Sequence, residues 1–384
     1  MNKPLSRIRN LQALRIYAAI PVILYHTKFT LPGVRPIGVF GVHMFFLLSG
    51  YIMASICDTD STAFVRRRLI RIIPLYWALT LMLYSVAWKF PNLMNATRAL
   101  PSELLKSLFF VPFQKSNGLY QPILFVGWTV NYEMFFYMML SIAVLINRRR
   151  AALLGASIML AVIAVCSLFA GSSAIARFYS DTILLECILG LISYYCVRYA
   201  STRLTPAMKP ALLVLAIGSL IVLPSIEEFG VMAHLPDTLR FGPTSFVLIC
   251  SVCLLAFLGA DFKAGVIVLL GDASYVMYLT HPYIELFLDR VVGRVLPIFH
   301  VDKPIGCLIA MAFVLPISVV LYLKIDKPSI RYLNRVFCGR RRSDPAISAM
   351  PEPVVAAVSE PALVPMPAVV VTHAGAAIQQ GTLA

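Results

Sequence analysis

The chain has 384 residues, of which 59% are hydrophobic and 13% charged, with a mean hydropathy of +0.82 and a formal net charge of +15. A soluble domain carries about 25% charged residues, so this composition excludes a water-soluble globule and describes a polytopic helical membrane protein. The positive charge does not point to nucleic acid, because Lys and Arg concentrate in short segments between apolar runs, the topology signal of membrane proteins.

Residues 1–10 are basic, and ten apolar spans follow. Their lengths place them at about 11–31, 38–57, 74–90, 122–146, 151–171, 181–197, 210–224, 243–260, 264–288 and 304–323. Pro32-Gly33 breaks the first from the second, and a basic loop with Arg66, Arg67, Arg68 and Arg71 precedes the third. Residues 91–121 form the longest inter-span loop and are expected outside. An even number of spans puts both termini on one side. With that side cytoplasmic, 22 of the 33 Lys and Arg fall inside and 11 outside, so both termini are predicted to be cytoplasmic. The first span lacks a following small-residue cleavage site and is expected to be retained. The predicted fold is an all-α membrane helix bundle over residues 1–340. Residues 341–384, rich in Pro, Ala and Val and lacking aromatic side chains from 343 on, are expected to form a disordered cytoplasmic tail. Six of eight cysteines lie in apolar spans and none in a predicted external loop, which argues for apolar packing over a disulfide framework or a metal site, Cys250-x-x-Cys253 included.

Polar groups inside the spans carry the functional signal, since a charge at helix-centre depth costs on the order of 2.5–3.5 kcal/mol. Arg15 and His26 are eleven residues apart, three helical turns plus about 20°, and so share one face roughly 16 Å apart along the axis. Gly38 and Gly41 allow a close approach of the second span to the first, and His43 follows them. Arg68 and Arg71 put two guanidiniums on one helical face, a fork suited to a phosphate-bearing cytoplasmic ligand. Asn131 and Glu133 sit in the fourth span, and Glu133, alone in an apolar helix, needs a partner among Arg15, His26 and His43. Ser274, Tyr278 and His281, at i, i+4 and i+7, make one polar stripe in the ninth span. Such a set suits either a membrane-embedded enzyme or a glycan or lipid-linked-sugar transporter with a proton relay; no internal repeat is evident, which disfavours an inverted-repeat transporter.

Five motifs decide between these classes: LQALR ending in Arg15 with His26 after ten residues, GVFGVHMFFLLSGY, RRRLIRIIPLYW, GWTVNYEMFFY and SYVMYLTHPYI. In this order and spacing, from residue 11 to about 330, the chain resembles the acyltransferase-3 family of membrane acyltransferases, in particular its exopolysaccharide O-acetyltransferase branch. The resemblance implies a bacterial inner-membrane enzyme with acetyl-coenzyme A as donor and no metal. The implied acceptor is a hydroxyl of an exported polysaccharide or its lipid-linked precursor, made by neighbouring biosynthetic machinery. It further implies that Arg15 and His26 are required for activity, that Arg68 and Arg71 assist coenzyme A binding, and that the Ser274–His281 stripe lines the pocket. On that footing His26 is the expected general base, with Glu133 the candidate to orient the imidazole and Tyr278, Asn131 and Ser274 the candidate oxyanion donors. The chain departs from the common family pattern at His43, where an acid is usual, and in Asp326-Lys327-Pro328, where Glu-Lys-Pro is commoner.

Overall fold

The computed structural model describes residues 8–27, 37–59, 64–93, 97–263, 265–296 and 304–338. The tail expected from residue 341 lies outside the described residues. Thirteen α-helices make up the fold among them: α1 Asn10–His26, α2 Val39–Thr59, α3 Phe64–Lys89, α4 Pro101–Leu108, α5 Trp128–Ile146, α6 Ala151–Phe169, α7 Ala174–Tyr179, α8 Leu184–Ser201, α9 Lys209–Glu228, α10 Asp237–Phe257, α11 Val266–Phe287, α12 Pro304–Leu321 and α13 Lys327–Cys338. Eight helical segments are long and apolar enough to cross a membrane, which makes the chain a polytopic helical bundle. All ten expected spans coincide with a helix. The two that fall short of the eight are α1, which has only 17 residues, and α11, whose apolar run is interrupted by Asp272, Ser274, His281 and Glu285. These helices carry much of the candidate chemistry, and they pack side by side.

Two boundaries differ from expectation. The basic segment Arg66–Arg71 is not a loop but the first turns of α3, which runs on through Pro74. Proline reads as a helix start because it lacks an N–H, yet membrane helices tolerate it where surrounding structure satisfies the freed carbonyl. The 91–121 segment contains α4 and docks on the middle of α3: Tyr76 Oη donates to Ser107 O at 3.1 Å and Trp77 Nε1 to Leu108 O at 2.9 Å.

α1 is fixed at its start and along both sides. Asn10 Nδ2 donates to Val252 O (3.0 Å) and Ala260 O (2.8 Å), and its Oδ1 accepts from Phe262 N (2.8 Å), tying α1 to the end of α10. A Cβ at Gly41 would lie 2.3 Å from Ala18 O, and one at Gly271 would lie 2.2 Å from Gln12 O. Only glycine lets α2 and α11 approach the α1 backbone so closely.

Candidate active site

Five helices converge on a cavity of about 880 Å³, its opening to solvent included. α1 supplies Arg15, α3 supplies Arg68, Arg71 and Ile72, and α5 supplies Thr129, Val130, Glu133 and Tyr137. α11 supplies Ser274, Tyr275 and Tyr278, and the wall between is the apolar face of α2, including Val42, Phe45 and Ile52. The three arginines therefore meet in one place although 53 residues separate the first two in sequence. Arg15 lies within electrostatic reach of Arg71, Asp272, Glu133 and Arg68. The Arg68 guanidinium sits over the Tyr137 ring, 5.9 Å from its centroid. The Tyr137 hydroxyl donates to Glu133 Oε1, and Ser49 Oγ donates to the same oxygen at 3.3 Å. Glu133 thus belongs to the arginine end.

Along α11 the cavity changes character. Ser274 is fully buried and its Oγ has no hydrogen-bond partner among the described residues. One turn on, the Tyr278 hydroxyl donates to Val126 O (3.1 Å) and lies 3.0 Å from Thr129 Oγ1. The Tyr278 ring is 6.0 Å from that of His281, and His281 is 5.1 Å from His26. His26 is also packed at 5.6 Å against Phe125, at the start of the α5 segment. The imidazole pair stands just past Tyr278, beyond the side chains that line the cavity itself. Polar stripe and α1 face run parallel: arginines at one end, histidines at the other.

Two expected pocket residues are elsewhere. His43 Nδ1 is 3.2 Å from Glu186 Oε1 in a fully packed seam of α2, α8 and α10, with its ring 5.4 Å from Phe241. Asn131 turns to the other side of α5, where it lines a second, apolar cavity with Val65, Leu69 and Phe109. Three acids were missed in the sequence: Glu186, Asp272, which lies within electrostatic reach of Arg15, Arg71 and Lys327, and Glu285. Each is a carboxylate in an apolar run, so the argument that singled out Glu133 applies equally to them.

The exopolysaccharide production protein ExoZ of Rhizobium meliloti (strain 1021) is 30% identical over 304 residues, 77% of this chain and 90% of that protein. YrhL of Bacillus subtilis (strain 168), whose name assigns it provisionally to peptidoglycan O-acetylation, is 27% identical over 71% of this chain, which spans 48% of YrhL. The acyltransferase MdmB of Streptomyces mycarofaciens is 24% identical over 90% of this chain and 97% of its own length. No solved structure matches the chain. The model of the acyltransferase domain matches residues 8–323, which takes in every helix that contributes to the cavity. With that match, the chain belongs to the acyltransferase-3 family and is a membrane O-acyltransferase.

Proposed function

We propose that this enzyme moves an acetyl group from cytoplasmic acetyl-coenzyme A to a hydroxyl of an exported polysaccharide or its lipid-linked precursor, in the bacterial inner membrane. The observation that carries the proposal is the single cavity with Arg15, Arg68 and Arg71 at one end and Tyr278, adjoining the His26–His281 pair, at the other. Guanidiniums bind phosphate bidentately and keep their charge at any working pH, so the arginines hold the nucleotide phosphates of the donor. The pantetheine arm is narrow and largely apolar, and the α2 wall of Val42, Phe45 and Ile52 suits it. It brings the thioester towards His26.

His26 acts as general base on the acceptor hydroxyl, a role worth roughly 10²–10⁴-fold in rate. The developing oxyanion needs fixed donors, and Ser274, whose hydroxyl is buried with no partner among the described residues, is the freer candidate in the cavity, two turns of α11 before His281. Tyr278 already spends its proton on Val126 O. Glu133, bonded by Tyr137 and Ser49 among the arginines, holds the donor end in shape. The name of the Rhizobium relative supports an extracellular polysaccharide as acceptor, assembled by neighbouring machinery. The test is transfer of radiolabelled acetyl from acetyl-coenzyme A to extracted glycan by membranes carrying equal amounts of wild type or His26→Ala. The variant should lose at least about 10²-fold in rate; undiminished transfer removes His26 as the base, and no transfer by wild type removes the donor and acceptor assignment.

A further inference from the structure

Glu285 and His281 occupy one face of α11 four residues apart, about 5–6 Å between their Cβ atoms. Both are buried, at 4% and 0% exposure. Each keeps a polar atom with no partner among the described residues, Glu285 Oε1 and His281 Nε2. His281 Nδ1 is 3.1 Å from Met277 O. A carbonyl only accepts, so Nδ1 carries the hydrogen and Nε2 presents its lone pair. That fixed tautomer is 5.1 Å, ring to ring, from His26. Glu285, one turn further along α11, lies within electrostatic reach of Cys307, whose Sγ is 3.7 Å from the Oγ1 of Thr27, the residue after His26. A carboxyl left without a partner in an apolar seam is costly unless another group uses it.

We infer that Glu285 is a positioning residue for acyl transfer, its carboxylate offsetting, from one turn of α11 away, the positive charge that the His26–His281 pair takes up. The inference rests on His26 being the base. In the reaction the acceptor O–H bond breaks and its proton passes to His26. The acceptor oxygen bonds to the acyl carbon, the C–S bond breaks, and the coenzyme A thiolate recovers a proton from the pair. Between those events one positive charge sits on two imidazoles in an apolar wall, and Glu285 is the acid one turn from them.

The experiment compares full-length wild type, Glu285→Gln, Glu285→Asp, His281→Asn and the Glu285→Gln/His281→Asn double variant in native membranes, with radiolabelled acetyl-coenzyme A and extracted glycan. Glu285→Gln should lower kcat by at least about tenfold, below the 10²–10⁴-fold range of general-base catalysis, with the donor KM unchanged. Glu285→Asp should recover part of the loss, and the double variant should be no slower than the worse single one. A purely structural glutamate predicts otherwise: full kcat in Glu285→Gln, losses that multiply in the double variant, or Asp no better than Gln; any of these overturns the inference. Should Glu285→Gln not accumulate, Glu285→Asp against Glu285→Met, normalised to protein in the membrane, gives the same reading. His26→Ala is run alongside. If it transfers normally, the base assignment fails by itself; if it is inactive while Glu285→Gln is not, only the present inference falls.

Discussion

Glu227, in the last turn of α9, caps the start of α2 from another helix. Its Oε1 accepts from the backbone N–H of Gly38 and of Val39, both at 2.9 Å, and its Oε2 accepts from Phe40 N at 3.1 Å. These are the donors that a helix N-terminus leaves without intrahelical partners. Glu227→Gln keeps the carbonyl oxygen for Gly38 and Val39 but turns an amide NH₂ towards the N–H of Phe40. The loss is one hydrogen bond to a charged acceptor, about 1.5–3 kcal/mol, plus the charge–dipole term at the helix end, about 0.3–1 kcal/mol. Together that is roughly 2–4 kcal/mol, or about 30- to 1000-fold in the unfolding equilibrium. Glu227→Ala strands all three donors and should cost more. The eight cysteines are free, and Cys57, Cys187, Cys253 and Cys307 are buried, so a thiol-reactive dye reports unfolding of the detergent-solubilised protein. Melting should fall in the order wild type, Glu227→Gln, Glu227→Ala. A Gln variant that melts with wild type, or an Ala variant no worse than Gln, would refute the argument.

Arg68→Ala combined with Arg71→Ala removes the two guanidiniums proposed to hold the donor's phosphates, each such bond worth about 1.5–3 kcal/mol; coenzyme A affinity, read by equilibrium dialysis, should fall by at least about 10²-fold. Gly271→Ala sets a methyl 2.2 Å from Gln12 O and must push α11 off α1, lowering both melting temperature and transfer rate, whereas Gly218→Ala, inside α9 with open space around its Cβ position, should lower neither. In the 97–121 segment, burial pushes the Lys115 ammonium down to about 8 against the pull of Glu103, and Nζ donates to Thr97 Oγ1 at 3.0 Å. The unfolded chain holds that proton up to about pH 10.4, so between there and pH 8 the unfolded state binds more protons and stability rises with pH. The melting temperature of wild type should therefore rise relative to that of Lys115→Met from pH 8 to 10, and the difference should stay constant below 8.

Much of this was legible in the sequence because membrane insertion makes polar residues conspicuous. The eleven-residue spacing of Arg15 and His26 put both on one face of α1, and α1 delivers one to the arginine cavity and the other to the imidazole pair. Gly41 was readable as a thin point between α1 and α2, and a Cβ there would indeed strike Ala18 O. Partners across the bundle were not readable. His43 meets Glu186 from 143 residues away, and no local pattern encodes that pairing. Asn131 was grouped with Glu133 by proximity in sequence, yet two residues of α5 are about 200° apart around the axis and face different cavities. Pro74 hid the true start of α3 because a proline signal is local, while its tolerance depends on neighbours.

The two helices that fall short as independent spans, α1 and α11, are the ones on which the chemistry turns, and the connection is physical. Arg15, Asp272, His281 and Glu285 make each helix a poor candidate for bare lipid, at a few kcal/mol per charged group. Packed together, with glycine contacts at Gly41 and Gly271 and lipid kept out, the groups face one another. At the arginine end the charges do not cancel: Arg15, Arg68, Arg71 and Lys327 lie within reach of Glu133, Asp272 and Asp326. Among these groups the excess is positive, and Asp326 Oδ2 is buried without a hydrogen-bond partner among the described residues. On the proposed reading, the phosphates of the donor are what this excess of guanidinium charge receives. The proposed mechanism inverts this at the histidine end, with Glu285 as the acid at hand and the charge arriving only during turnover. In the proposed mechanism that charge is a proton, taken from the acceptor hydroxyl and returned to the departing thiolate.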